Sequence, residues 1–258
     1  MQDEKYVEGL TIPIEAVLFD KDGTLLDFTR MWGFWTDCVL DRFRDQLAIL
    51  GLRINTEELP RIWGTFHDDQ GRMNGYDVRG PLAMGTMDEV YAVLTWHGYR
   101  AGLSWAEAKM MVRECLAQAE EEMEKHRPAR PLPGVREFLE QCRSEGVVMG
   151  VVTADDTPSA VKHLQWMGLE SFFDVVIGTD LVGRGKPFPD MLLLACERLG
   201  VSVQHTVVIG DTDGDMEMAR SAGAGYRIGI GIGETGRIRL ADRTIQSFHE
   251  LLNGGLNR

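Results

Sequence analysis

The stretch that most constrains this chain is a short apolar run that ends in two aspartates separated by one residue. Residues 17–19 are Val, Leu and Phe, which together are typical of a strand buried on both faces. Asp20 and Asp22 follow at once, at the strand end where open parallel sheets bind ligands. Two carboxylates held this close repel each other, so the pair predicts a compensating cation. A divalent metal with a preference for oxygen ligands, such as Mg²⁺, is the simplest candidate.

The overall composition limits the class of protein and its partners. A chain of 258 residues can bury a sizeable core in one large or two modest domains. Its formal net charge of −13 argues against nucleic acid or an anionic membrane as the main partner. A small anionic substrate stays compatible, because a metal and local cations can override the overall field. The four cysteines are far apart and show no CxxC pairing, which, with an acidic start lacking a signal-like apolar run, predicts a cytoplasmic protein.

Helical patterns dominate the chain between residues 28 and 130. We therefore predict an all-helical domain over 28–130, with one helix over 56–66 and a polar, glycine-rich loop over 67–86. Ser104 and Glu107 have the spacing of a capping box and predict the start of a further helix. We expect three tryptophans to lie in the core of this domain: Trp32, Trp35 and Trp96.

The pattern changes after Pro133, where strand-like and helical segments alternate. The predicted strands cover about 147–153, 174–177, 206–209 and 227–230. Strands that alternate with helices indicate an α/β fold with a doubly wound parallel sheet. The strand before Asp20 belongs to the same sheet, so residues 1–27 and 131–258 form an α/β core and residues 28–130 are an inserted helical domain.

Polar residues capable of chemistry follow three of the predicted strands. Asp20, Thr153 and Asp211 each come directly after a strand. Taken singly, each of them is typical of a turn or a helix cap. A parallel sheet brings its strand ends together at one edge, however, so these residues can converge with Lys186, from a loop rich in glycine and proline, and with Asp215.

At this point the sequence resembles the haloacid dehalogenase-like superfamily of phosphatases. Residues 20–25 look like its first motif, DxDGT, and residues 210–215 like its fourth, GDxxxD. Thr153 and Lys186 match the second and third motifs. The order and strand contexts agree over residues 15–223, and the helical insertion falls where this family carries its helical cap. One departure is the Ala-Asp-Asp sequence after Thr153, where many relatives have an asparagine or another small polar residue.

The resemblance implies phosphoryl transfer in two steps within a Rossmann-like core. Asp20 would attack phosphorus and form an aspartyl-phosphate. Asp22 would protonate the leaving alkoxide and then deprotonate the water that hydrolyses the intermediate. Mg²⁺ is the implied cofactor, and its implied ligands are the Asp20 side chain, the Asp22 backbone carbonyl, Asp211 and Asp215.

The remaining motif residues would bind the phosphoryl group. Thr153 and Lys186 would contact its oxygens. Backbone N–H groups near Gly23 and Ala154 would add further donors, with Thr24 beside them. Gly23 would also let the backbone leave the strand sharply.

Substrate specificity is expected in the inserted domain. The overall pattern looks most like phosphoglycolate phosphatases and related small phosphomonoesterases, so the expected partner is a small phosphorylated metabolite, bound by a monomer or homodimer. Arg72 and Arg79, in the predicted glycine-rich loop, could bind a substrate carboxylate such as that of 2-phosphoglycolate. Two exposed arginines in a solvated loop are an equally good interpretation.

Two alternative functions stay open at the level of sequence. A phosphomutase of the same superfamily differs from a phosphatase mainly in its cap. A non-catalytic magnesium-binding or phospho-acceptor module, like a response-regulator receiver, also combines carboxylates, a hydroxyl and a lysine. Receivers have an acidic pair on the first strand and the acceptor aspartate later, and they lack a large helical insertion, which favours the enzyme.

Overall fold

The computed structural model describes residues 14–54, 62–231 and 238–252, and its elements are numbered here in chain order. They are β1 (Ala16–Phe19), α1 (Phe28–Ile49), β2 (Thr65–His67), β3 (Met73–Tyr76), α2 (Pro81–Met84), α3 (Met87–Arg100), α4 (Trp105–His126), α5 (Val135–Ser144), β4 (Val148–Val152), α6 (Thr157–Met167), β5 (Val175–Ile177), α7 (Asp190–Leu199), β6 (Thr206–Gly210), α8 (Asp213–Ala222), β7 (Tyr226–Ile230), β8 (Arg243–Ile245) and α9 (His249–Leu252). The chain divides into two compact units, Met1–Asp27 with Arg130–Arg258 and Phe28–Ala129.

The first unit contains a six-stranded parallel sheet in the order β5-β4-β1-β6-β7-β8. Strand β1 lies inside the sheet, and Leu18 is in register with Gly150 of β4 and Val208 of β6. The chain therefore runs outwards in both directions from β1, and the predicted doubly wound parallel sheet is confirmed. The prediction that the first strand belongs with the later ones is also confirmed.

Strand β1 is buried on both faces of the sheet, as its composition predicts. Its four residues are at most 1% exposed. Phe19 packs edge-on against Phe138 of α5, with ring centroids 6.1 Å apart, whereas Leu18 belongs to a cluster with Met191 of α7 and Met218 of α8. Side chains alternate between faces along a strand, so helices cover the sheet on both sides. The residues that follow β1 are thus attached to a strand at the buried centre of this unit.

The second unit is built mainly from α1, α3 and α4. The Ser104 hydroxyl accepts from the Glu107 backbone N–H, while the Glu107 carboxylate accepts from that of Ser104. The predicted capping box is therefore confirmed. Trp35 is buried against Trp63, with ring centroids 5.3 Å apart. Trp96 is half exposed, so its predicted place in the core is wrong.

The prediction that this unit is all-helical is wrong in one detail. Strands β2 and β3 form an antiparallel pair in which Thr65 is opposite Tyr76, and β3 and α2 occupy part of the predicted loop over 67–86. The predicted helix over 56–66 lies partly outside the described residues, and its last two positions belong to β2. Strands of three and four residues, one containing a glycine, carry no readable alternation, so pairing rather than local propensity decides their conformation.

Among the described residues, no helix has the length and apolar character needed to cross a membrane.

Candidate active site

The carboxyl ends of three adjacent strands supply the centre of the site. Asp20, Thr153 and Asp211 directly follow β1, β4 and β6, which are neighbours in the sheet. Hydrogen bonds of the sheet continue into two of them: the Asp20 N–H donates to the Ile209 carbonyl at 2.8 Å, and the Thr153 N–H donates to the Ile177 carbonyl at 3.0 Å. The sheet therefore fixes the backbone of these residues at one edge, as the sequence predicts.

A tight turn after β1 brings the first motif against the fourth. Gly23 has a φ of +83°, a left-handed conformation that glycine adopts without steric cost. Its N–H donates to the Leu26 carbonyl at 3.0 Å and closes the turn. The Thr24 hydroxyl then donates to Asp211 Oδ1 at 3.4 Å. Gly23 thus has the predicted turn conformation, and Thr24 orients a carboxylate of the distant motif.

The fourth motif places Asp215 inside the site through the first turn of α8. Asp215 Oδ2 accepts hydrogen bonds from the Thr212 N–H at 3.0 Å and the Thr212 hydroxyl at 2.6 Å. This capping box holds one carboxylate oxygen. Gly210 is required beside it, because a Cβ at position 210 would lie 2.5 Å from Cγ of Asp215. The glycine of the GD pair therefore makes room for a carboxylate.

Lys186 reaches this edge from the loop between β5 and α7. Its ammonium forms ion pairs with Asp20 and, at 2.6 Å, with Asp215 Oδ1. The side chain is only 10% exposed. Burial would lower the pKa of Lys186, but the carboxylates of Asp20 and Asp215 outweigh it and raise the pKa above its usual value. Lys186 is therefore a fixed positive charge in the site.

We call Asp20, Asp211, Asp215 and Lys186 the acidic cluster. One oxygen from each of the three carboxylates lies within 4.8 Å of the other two, and three carboxylates face one ammonium. Burial raises the pKa of Asp20 to about 7; Lys186 opposes this rise, while Asp215 and Asp22 add to it. Burial, with Asp20 and Asp215, also raises the pKa of Asp211 well above its usual value. Converging oxygen donors with excess negative charge fit Mg²⁺, which would offset the repulsion.

The side chain of Asp22 lies outside these three converging carboxylates. Its Oδ2 forms an ion pair with the Lys21 ammonium at 2.7 Å. The predicted contact of Asp22 with a metal, through its backbone carbonyl, stays a prediction. The two aspartates of the first motif therefore have different surroundings, although one residue separates them.

The group that surrounds the Asp22 carboxylate was not predicted from the sequence. Lys21 is fully buried, and its Nζ lies 3.2 Å from Asp155 Oδ2 and 3.2 Å from His163 Nδ1. We call Lys21, Asp22, Asp155 and His163 the Lys21 cluster. Two signals could have indicated it: a lysine between two aspartates, and the aspartate at position 155, where the sequence departs from its family.

The second motif contacts the Lys21 cluster. Thr153 is fully buried, and its Oγ1 accepts a hydrogen bond from the Asp155 N–H at 3.2 Å. Because the Asp155 N–H occupies one lone pair of Oγ1, the hydroxyl proton of Thr153 can be donated to another acceptor. The carbonyl of Ala154 accepts from the Thr179 hydroxyl at 3.3 Å. The predicted use of an N–H near Ala154 as a phosphoryl donor stays a prediction.

Arg72 and Arg79 belong to the second unit and are exposed there. The Arg72 side chain is 66% exposed and lies 3.6 Å from Asp68; that of Arg79 is 82% exposed and lies 3.6 Å from Asp77. Both pairs are surface ion pairs, which contribute little to stability. Their predicted contact with a substrate carboxylate stays a prediction.

The site geometry agrees with the match to known sequences. The family model for haloacid dehalogenase-like hydrolases matches residues 14–223. The chain belongs to this family. The matched range begins just before β1 and ends just after α8, so it contains all four sequence motifs and the inserted unit.

Two curated relatives of the chain are named phosphatases. The chain is 37% identical over 144 residues to probable phosphatase IndB of Dickeya dadantii, a match covering 55% of this chain and 63% of that protein. It is 35% identical over 123 residues to phosphoglycolate phosphatase of Escherichia coli, covering 46% and 49% of the two chains. The matches thus span 63% and 49% of the length of these curated relatives.

A solved structure shows that the likeness extends over nearly the whole chain. The crystal structure of a haloacid dehalogenase phosphatase from Thermococcus onnurineus superposes with a TM-score of 0.62 at 25% identity, covering 93% of this chain and 99% of that one. The fold described here is therefore that of a known phosphatase.

Proposed function

We propose that the protein is a magnesium-dependent phosphatase that hydrolyses a small phosphomonoester through an aspartyl-phosphate. The observation that carries the proposal is the position of Asp20. Its carboxylate is attached to the rigid end of β1 and paired with the Lys186 ammonium. It also converges with Asp211 and Asp215. A nucleophile beside fixed positive charge and a metal-binding set is what phosphoryl transfer requires.

The residues of the chain divide the chemistry between two steps. In the first, an Asp20 oxygen bonds to phosphorus while the ester P–O bond breaks, and Asp22 gives its proton to the leaving alkoxide. In the second, Asp22 takes a proton from water, and the water oxygen bonds to phosphorus. The bond between Asp20 and phosphorus then breaks, releasing inorganic phosphate. The enzyme returns to its starting state.

Charge on the phosphoryl oxygens is neutralised by groups already in place. The Lys186 ammonium stays protonated throughout. The Thr153 hydroxyl donates to an oxygen, because the Asp155 N–H occupies its acceptor side. Asp20, Asp211 and Asp215 would hold Mg²⁺, which when bound supplies further positive charge at the phosphoryl group.

A phosphomonoester assay tests the proposal. We expect purified protein to release phosphate from a generic aryl phosphate and from a panel of phosphorylated metabolites when Mg²⁺ is present, and to stop when EDTA removes it. Asp20→Asn should abolish turnover while circular dichroism shows an unchanged fold. No turnover of any ester by the wild type would favour a non-catalytic phospho-acceptor module. Conversion of a sugar phosphate to its isomer with no release of phosphate would instead identify a phosphomutase.

For the substrate we propose a small phosphorylated acid such as 2-phosphoglycolate. The relative from Escherichia coli named phosphoglycolate phosphatase supports this choice. The guanidinium groups of Arg72 and Arg79 could bind the carboxylate bidentately. Catalytic efficiency should be higher for 2-phosphoglycolate than for neutral esters of similar size. The single variants Arg72→Ala and Arg79→Ala should each reduce that preference. An unchanged ranking in both variants would remove the arginines from the proposal.

A further inference from the structure

The Lys21 cluster is a second group of buried charges that the proposed chemistry does not yet use. The Lys21 ammonium, on a fully buried side chain, lies 2.7 Å from Asp22 Oδ2, 3.2 Å from Asp155 Oδ2 and 3.2 Å from His163 Nδ1. His163 Nδ1 is itself 3.3 Å from the same Asp155 oxygen. Lysine is almost never fully buried unless it is paired, and here its partners come from three separate parts of the chain.

Each partner of Lys21 is held in turn by its own surroundings. Asp155 Oδ1 accepts from the Asp156 N–H at 2.9 Å, which leaves Oδ2 directed at the lysine. His163 lies on α6, and its ring packs against Trp166 with centroids 5.1 Å apart. The end of β4 and helix α6 thus define where the ammonium can lie.

The cluster reaches the reacting groups at two points. Lys21 holds the carboxylate of Asp22, the proposed acid and base. Asp155 is joined to Thr153 by the hydrogen bond from its N–H to Oγ1 at 3.2 Å. A buried ion pair is weak evidence for stability, since apolar residues of similar volume often stabilise a fold as well or better. Since Lys21 contacts Asp22, the proposed proton donor, the position of these charges indicates that they hold a side chain in place.

We propose that Lys21 is a positioning residue, held by Asp155 and His163, that fixes the carboxylate of Asp22 for proton transfer. This inference rests on the proposed phosphatase function. The aspartate side chain at position 22 can adopt more than one rotamer, and the Lys21 contact selects one of them. Since misplacing a catalytic group by about 1 Å can cost about 100-fold in rate, losing the contact should affect the chemical step more than substrate binding.

The test uses variants that remove the Lys21 charge without leaving the buried Asp155 carboxylate unpaired. Lys21→Met alone would leave Asp155 buried beside an apolar chain, so the informative variant is Lys21→Met with Asp155→Asn. We expect its kcat to fall about 100-fold with KM within about threefold of the wild type. Lys21→Gln with Asp155→Asn retains an amide donor for Asp22 and should lose less. Lys125→Met, at an exposed helix position, is the matched control and should keep full activity.

A double-mutant cycle with Asp22→Asn separates action through Asp22 from other effects. When Asp22 is already replaced, removing Lys21 should cost little more. A loss that stays about 100-fold in that background, or a kcat within about threefold of the wild type in Lys21→Met with Asp155→Asn, would overturn the proposal. Thermal unfolding of every variant shows which of them are folded.

A crystal structure of the Lys21→Met, Asp155→Asn variant tests the inference independently of turnover. We expect the Asp22 carboxylate to leave its position or to adopt several. An Asp22 side chain that stays in place without Lys21 would overturn the positioning role, whatever the activity. By contrast, an inactive wild type with a displaced Asp22 in the variant would count against the proposed function and support the positioning contact.

Discussion

The acidic cluster and the Lys21 cluster each centre on a buried lysine, yet their charge balance differs. In the acidic cluster, three carboxylates face the single ammonium of Lys186, and the pKa values of Asp20 and Asp211 are raised. In the Lys21 cluster, burial would raise the pKa of Asp155, but Lys21 and His163 outweigh it and hold that pKa well below its usual range. The acidic cluster thus has two more carboxylates than ammonium groups, whereas the Lys21 cluster has one more and also contains the His163 ring.

This difference indicates what each cluster is for. Excess carboxylate charge in a buried site is stable only when a cation or a proton joins it, so the acidic cluster is suited to binding Mg²⁺ and a phosphoryl group in turn. In the Lys21 cluster both carboxylates already contact the Lys21 ammonium, so this cluster is suited to holding a side chain still. Asp20 belongs to the first and Asp22 to the second, which separates the proposed nucleophile from the proposed acid and base within three residues.

The largest effect is expected when the acidic cluster loses a metal-binding carboxylate. Asp211→Asn should lower turnover at least about 1,000-fold, equivalent to about 4 kcal/mol of transition-state stabilisation. The Mg²⁺ concentration for half-maximal activity should rise as well. Both quantities come from initial rates measured over a series of Mg²⁺ concentrations. Asp213→Asn is the matched control, because Asp213 is exposed and its carboxylate accepts from the Arg239 N–H at 2.7 Å instead. Normal rates in Asp211→Asn would show that this carboxylate is not needed for Mg²⁺ or turnover.

Replacing Lys186 should expose the charge imbalance directly. In metal-free protein, Lys186→Met leaves Asp20 and Asp215 without their ammonium partner, and we expect the free energy of unfolding to fall by about 3–5 kcal/mol. Mg²⁺ should restore a large part of this loss, since it offsets the same carboxylates. Urea unfolding with EDTA and with Mg²⁺ measures both values. If the variant is as stable as the wild type in EDTA, the two clusters are not different in the way described.

The control for that experiment is another lysine replaced by methionine. Lys125 is 61% exposed and pairs with Glu122 at 3.0 Å on the surface of α4. Its replacement should change the free energy of unfolding by no more than about 0.5 kcal/mol, with or without Mg²⁺.

The acidic cluster could be predicted from the sequence, because its members lie in recognisable local sequence patterns. Asp20 and Asp211 follow apolar strands, and parallel strands bring such residues to one edge whatever the details of packing. The capping box at Ser104 could be predicted for a similar reason, since both partners lie within one helical turn.

The Lys21 cluster could not be predicted as a whole, because its assembly depends on how distant elements pack. Lys21 and His163 are 142 positions apart, and a histidine within a helix gives no sign of facing a buried lysine. The hairpin of β2 and β3 was missed for a related reason: its strands are stabilised by pairing with each other, and neither has a strand-like sequence of its own. Local patterns thus predicted the elements and motifs, whereas contacts between distant side chains needed the structure.

A smaller effect is expected from Asp155→Asn, which weakens the Lys21 cluster without leaving Lys21 unpartnered. We expect a loss of about 1–3 kcal/mol in the free energy of unfolding at pH 7. The native pKa of Asp155 is lowered, so its contribution is present above the unfolded pKa of about 4 and is lost as the pH falls below it. The difference between variant and wild type should therefore shrink below about pH 4. Urea unfolding from pH 7 to pH 3.5 measures this.

Adding Mg²⁺ to Lys186→Met and to Asp155→Asn compares how the stability of the two clusters responds to the metal. Mg²⁺ should restore stability to Lys186→Met and leave the loss in Asp155→Asn unchanged, because Asp155 is not among the three carboxylates that converge in the acidic cluster. The exposed Asp69 supplies a control, with Asp69→Asn expected within about 0.5 kcal/mol of the wild type. Equal rescue of both buried variants would mean that the clusters respond to the metal as one group.

The smallest effect is the pH dependence of Mg²⁺ binding. The raised pKa of Asp20, about 7 in metal-free protein, means that the contribution of this group to stability is present at low pH and is lost as the pH rises through 7. Below that pH, Mg²⁺ must displace a proton, so its apparent affinity should fall up to about tenfold per pH unit. Isothermal titration calorimetry at pH 8, 7 and 6 measures this, and Asp20→Asn should flatten the dependence. An affinity that stays constant between pH 8 and pH 6 would show that protons and metal do not compete at Asp20, and that the acidic cluster is better balanced than its three carboxylates indicate.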